Sequence, residues 1–117
     1  MTITRKSDGL RSADIFALTK SADVQKLSDA KGEILTLTKY IVYSDEDIHG
    51  NPTQVLSVET DKGEKYATNS KTFIRNFVDI LDIYEAGGDP APSRFVVGYA
   101  KSKAGREYLT CNVAEDI

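Results

Sequence analysis

Residues 93–113 read Ser-Arg-Phe-Val-Val-Gly-Tyr-Ala-Lys-Ser-Lys-Ala-Gly-Arg-Glu-Tyr-Leu-Thr-Cys-Asn-Val. Two runs rich in β-branched and aromatic residues flank Lys103-Ala104-Gly105, where Gly105 can take the left-handed conformation that a tight turn demands. The stretch predicts a β-hairpin. Arg94, Lys101, Lys103 and Arg106 stand there against one acid, Glu107, with Tyr99 and Tyr108 among the cations. Cations interleaved with flat rings suit a single-stranded nucleic acid, because charges track phosphates and rings stack on unpaired bases. A solvated hairpin with half-buried tyrosines is the competing reading.

Hairpin register decides what the two rings do. A two-residue turn at Ala104-Gly105 pairs Tyr99 with Thr110 and sets Tyr99 and Tyr108 on one face with Lys101 and Arg106. A three-residue turn, 103–105, buries Tyr99 beside Phe95 and Val97 and leaves Tyr108 outside. In either register Tyr108 is opposite in parity to Leu109, Cys111 and Val113, which makes it the first candidate for base stacking.

Working outward, residues 69–85 form the one clear helix. Thr68, Asn69 and Ser70 offer N-caps. Phe73, Ile74, Phe77, Val78, Leu81 and Tyr84 recur at three and four, so they share a face, with Ile83 as the misfit. Gly87-Gly88 and Pro90 end the helix. Upstream, residues 33–43, Glu-Ile-Leu-Thr-Leu-Thr-Lys-Tyr-Ile-Val-Tyr, carry the longest β signal. A strand of that length is expected to bend or bulge near Thr38-Lys39, which switches the parity facing the core. The outward or inward direction of Tyr40 and Tyr43 stays open at this level. Residues 44–53 form an acidic loop with His49-Gly50-Asn51-Pro52, and 54–60 with 64–67 make another hairpin around Asp61-Lys62-Gly63. Residues 13–19 suggest a short first strand, although Ile15 and Leu18 also fit one helical turn. Residues 20–32 are polar and close in a turn at 29–32. Residues 1–12, with Arg5, Lys6 and Arg11 against Asp8, read as a flexible basic arm.

The expected order is strand, long strand, hairpin, helix, hairpin. Curling the strands into a barrel with the helix plugging one end removes most bare edges. The expected fold class is therefore all-β with one helix: a five-stranded OB-fold-like barrel over residues 13–117, the helix lying between strands three and four.

The chain has 117 residues, within the range of a single domain with a real core. No apolar run approaches the ~18 residues of a membrane span, and no secretory signal is expected. A lone cysteine, Cys111, fits a reducing, cytoplasmic setting, and its alternation with Leu109 and Val113 reads as burial. The net charge of −3 opposes nucleic-acid binding. Its distribution weakens that objection: 45–61 holds five acids and no Lys or Arg, whereas 94–106 holds four bases and no acid. No catalytic constellation is visible. His49, the single histidine, sits in a turn, and Asp45-Glu46-Asp47 lacks the spaced ligands of a calcium loop. No enzyme activity, cofactor or metal site is expected.

Several motifs taken together resemble the small single-stranded-DNA-binding proteins of tailed phages that replicate from a terminal-protein primer. They are Asp29-Ala30-Lys31-Gly32-Glu33-Ile34-Leu35 leading into the long strand, Ser70-Lys71-Thr72 opening a helix with Asp79-Ile80-Leu81-Asp82, and Phe95-Val96-Val97 followed by Lys103-Ala104-Gly105-Arg106-Glu107-Tyr108-Leu109. The likeness implies an OB-fold that coats displaced strands during phage DNA replication without sequence preference, in the host cytoplasm. It points to Tyr40, Tyr43 and Tyr108, then Tyr66 and Tyr99. With Lys39, Lys101, Lys103 and Arg106, these residues make the expected nucleic-acid-binding groove. Single-stranded DNA is the expected partner, with replication proteins as a second class and self-association open. The rival reading is a protein-interaction module on the same barrel, serving a replication or virion assembly without nucleic acid.

Overall fold

The computed structural model describes residues 1–114, so the last three residues of the expected domain lie outside the description. Its spine is the β-rich run noted above. It forms β3, Ile34–Glu46, thirteen residues long, with its register broken between Leu37 and Lys39 as the length predicts. The break switches parity. Leu35 and Leu37 face the main core before it, Tyr40 and Val42 after it, and Ile41 and Tyr43 turn to the opposite side. The two halves of β3 also have different neighbours. The first pairs with β6, Arg94–Lys101, and the second with β4, Pro52–Thr60.

Beyond β4 lies β5, Lys65–Thr68, and beyond β6 lies β7, Glu107–Val113. The path β5-β4-β3-β6-β7 is antiparallel throughout and curls around α2, Lys71–Ala86. Ser70 caps α2, its Oγ accepting from the Phe73 N–H at 3.3 Å, and Gly87-Gly88 closes it with Gly88 at φ +76°. The predicted apolar face is the buried one. Phe73, Ile74, Phe77 and Leu81 enter the core, Val78 and Tyr84 are half-buried, and Ile83 stays in solvent. Phe77 lies 5.2 Å from the Tyr40 ring, edge-on, and 5.0 Å from Phe95. Each fully buried side chain of this kind stabilises by roughly 1.5–3 kcal/mol.

The N-terminal third departs from expectation. Residues 1–12, read as a flexible arm, contain β1, Thr2–Lys6, paired antiparallel with the second half of β3. Once β6 leaves β3 after Thr36, that half has a bare edge, and β1 covers it. Arg5 ties β1 to α2 through Asp82 at 2.6 Å. Residues 13–19, expected as a strand, are helical: α1 spans Ser12–Thr19. The helical spacing of Ile15 and Leu18 prevails because both reach one apolar surface made by Ile41, Tyr43 and Val55 on the far side of the sheet. The polar stretch 20–32 supplies β2, Gln25–Lys26, parallel to β5, and a 3-10 turn, Leu27–Ala30, that buries both terminal residues. The fold is mostly β and curled like half a barrel. It has seven strands and two α-helices among the described residues, where five strands and one helix were expected.

One consequence positions the site. Over the second half of β3 the sheet is sandwiched between α2 and α1. Among the described residues, the first half of β3, with β6 and β7, is covered on the α2 side only.

Candidate nucleic-acid interface

The β6–β7 hairpin turns through Lys103-Ala104-Gly105. Ser102 N–H donates to the Arg106 carbonyl at 2.8 Å, Gly105 N–H donates to the Ser102 carbonyl at 2.9 Å, and Gly105 sits at φ +82°. The pairs Lys101–Glu107, Ala100–Tyr108 and Tyr99–Leu109 give the register of the three-residue turn. In that register Tyr99 was expected in the interior. It does share a face with Phe95 and Val97, yet it is 55% exposed, because the hairpin outruns the core. Its cover is Lys31, whose Nζ stands 4.6 Å from the ring centroid and 2.5 Å from Glu107 Oε1. That ion pair holds the Lys31 ammonium above its ordinary pKa of 10.5. Tyr108 is 38% exposed on the opposite face, as its parity predicts.

Lys101, Lys103 and Arg106 are exposed. None of them has a carboxylate within 4 Å among the described residues, since Lys31 occupies the one nearby acid, Glu107. Three cations and two accessible rings therefore share one turn and its flanks.

The remaining candidates are elsewhere. Tyr43 is 5% exposed beneath α1, and its burial raises the phenol pKa. Tyr66 is equally buried. Its hydroxyl donates to Glu64 at 2.8 Å, and that bond, with burial, pushes its pKa up to about 12. Tyr40 is half-buried against Phe77. The expectation of a stripe of strand tyrosines thus needs correction: the parity switch in β3 sends Tyr40 and Tyr43 to two different covered faces, and Tyr66 faces the main core. Lys39 lies between Asp14 at 3.3 Å and Glu59 at 3.4 Å, where it fastens α1 to the sheet. The structure brings together Tyr99, Lys101, Lys103, Arg106 and Tyr108, and leaves Lys39, Tyr40, Tyr43 and Tyr66 apart.

Sequence reasoning missed Lys31 as a member of this cluster. The signal was its place before Gly32, whose N–H donates to the Val97 carbonyl at 2.6 Å and pins the 29–32 turn against β6. Cys111 is buried, which pushes its thiol up to about 12. No cluster of three or more His, Cys, Asp or Glu fit for a metal occurs among the described residues, and no helix there is long and apolar enough to cross a membrane.

No protein-family model, curated protein or solved structure matches this chain. The resemblance to the phage proteins stands on the quoted motifs alone.

Proposed function

We propose that the protein binds single-stranded nucleic acid, without sequence preference and without catalysis, through the β6–β7 hairpin. The observation that carries this reading is the set of three cations at one turn, without an acidic partner among the described residues, beside the accessible ring of Tyr108. The strand path β5-β4-β3-β6-β7 supports it, with α2 between β5 and β6. Taken as an OB-fold, that path makes the hairpin the last inter-strand loop, one of the two loops such folds use on oligonucleotides. In a cell the activity would shield displaced DNA strands during replication, in contact with other replication proteins.

Three cations set a modest scale. Neutralising about three phosphates gives a slope of log affinity against log salt near −2 for a single strand. Each stacked base adds roughly 1–3 kcal/mol. The test is a titration with dye-labelled oligo(dT) at several salt concentrations. Binding at low salt with that slope supports the reading, and an absence of binding at low salt refutes it. Competition between matched DNA and RNA strands separates the two sugars.

A second reading, a protein-interaction module, is favoured by Ile48, which stands 95% exposed at the tip of the acidic β3–β4 loop. It predicts a partner whose binding is indifferent to Lys101→Glu and Arg106→Glu but lost in Ile48→Asp.

A further inference from the structure

The two faces of the hairpin are unequal, and we infer that the nucleic acid follows one of them. It runs from the cationic turn past Tyr108 along the outer face of β7, β6 and the first half of β3, which no described element covers, towards Ile34. This inference rests on the hairpin reading above and adds the path.

Residues directly opposite in an antiparallel pair share a face. On the Tyr108 face the successive rows are Ala100–Tyr108, Gly98–Thr110 and Val96–Asn112, with Ile34 beside Val96 and Thr36 beside Arg94. No row contains a carboxylate. Ile34 is 53% exposed, so an apolar surface lies open for a base. The floor next to Tyr108 is low. Gly98 has no side chain, and the Thr110 hydroxyl fills its place, 2.6 Å from where a Cβ would stand. Ala100, the residue opposite Tyr108, carries only a methyl group.

The Tyr99 face is already occupied: the ring is 55% exposed, yet the Lys31 ammonium stands over it. A base stacking there has to expel Lys31 from the ring and break its pair with Glu107, leaving that carboxylate directed at phosphates. The other outer face, over β4 and the second half of β3, is closed as well, because α1 lies on it. The path is bounded at its far end by Glu33, Asp61 and Glu64, three acids that line one cleft with Ile34. Eight residues of β6 at ~3.3 Å each measure about 26 Å. That length corresponds to the low end of the ~4–16 nucleotides that an OB-type module covers.

The experiment compares oligo(dT) affinity, by fluorescence anisotropy at low salt, for wild type, Tyr108→Ala, Asn112→Asp and Tyr99→Ala, with thermal unfolding to show each variant folded. Tyr108→Ala is expected to weaken binding about fivefold or more, Asn112→Asp to weaken it comparably by setting a carboxylate on the path, and Tyr99→Ala to stay within about twofold. Asn112 is exposed, so its substitution keeps the test valid should Tyr108→Ala unfold. Equal losses on the two faces, or a larger loss at Tyr99, overturn the path. If that happens while Lys101→Glu with Arg106→Glu abolishes binding, the hairpin reading survives without the path. If wild type itself does not bind, both fall.

Discussion

At the β3–β4 turn the acids are tied into the fold. Asp47 accepts hydrogen bonds from the N–H groups of His49 at 2.8 Å and Asn51 at 2.9 Å, and Asp45 pairs with Lys20 of the α1 C-terminus at 2.8 Å. At the β6–β7 turn the corresponding duties fall to neutral groups. The Ser102 hydroxyl accepts from Arg106 N–H at 3.2 Å, and backbone bonds do the rest, so the side-chain charges of Lys101, Lys103 and Arg106 enter no ion pair among the described residues. The turns stand at opposite ends of β3, because β6 runs antiparallel to β3 and continues past its start. One turn uses its charge to hold a loop and a helix in place. The other keeps its charge available. Counting charges along the chain separates acidic from basic segments and says nothing of this difference.

The contrast between charge and rings held by the fold and those presented to solvent can be broken in several ways. The largest expected effect is on stability. Tyr43→Ala should cost about 3 kcal/mol in chemical denaturation, the usual scale for removing a buried ring, whereas Tyr99→Ala should cost less than about 1 kcal/mol. Equal effects would mean that α1 does not seal the sheet. Next comes charge reversal at the presented turn. Combined Lys101→Glu, Lys103→Glu and Arg106→Glu should remove the salt-dependent oligo(dT) affinity, about 20-fold in wild type between ~50 and ~200 mM salt, with an unchanged melting curve. Lys39→Gln should do the reverse, loosening α1 and sparing affinity. Smaller is Asp47→Ala, which deletes two turn hydrogen bonds for about 1 kcal/mol and should leave oligonucleotide binding alone. A loss of binding there would move the site to the acidic loop.

The smallest effects are those of pH. Asp14, Asp23 and Asp45 have carboxyl pKa values held below their ordinary 3.8. The leading causes are hydrogen bonds from the Arg11 N–H, the Ser21 hydroxyl and the Lys20 ammonium, respectively. A depressed folded pKa contributes stability that is present above pH 3.8 and lost as pH falls through the lower folded value. Fastenings of α1 and the 20–26 segment should therefore weaken first in acid. Tyr66 works in the opposite direction. Its raised pKa contributes stability below pH 10 that disappears between 10 and about 12. Ultraviolet difference titration should show a phenol ionising at about 12, and Tyr66→Phe should abolish that step.

Much of the scaffold was legible because its signals are local. Ser70, the three-and-four spacing from Phe73 to Leu81 and Gly87-Gly88 outline α2 almost to the residue. The excess length of 33–43 announced the break in β3. The start of the chain was not legible, because nothing in Thr2-Ile3-Thr4-Arg5-Lys6 reveals that a bare strand edge awaits it. Ile15 and Leu18 fit both a strand and a helix until the surface of Ile41, Tyr43 and Val55 chooses between them. The candidate site was half legible. The hairpin and its cations stood out, and parity put Tyr108 first, while the direction of Tyr40 and Tyr43 stayed open and nothing marked Tyr66 as a core residue.

Residue order by itself dictated the helix, the two long hairpins, the kink and the segregation of charge, since periodicity and turn chemistry act over a few neighbours. Which rings and ammonium groups stay free depended on what the chain lays over them: α1 on Tyr43, α2 on Tyr40, Lys31 on Tyr99, and no cation or helix on Tyr108 among the described residues. Those coverings join positions far apart in the chain, and only the assembled sheet brings them into contact.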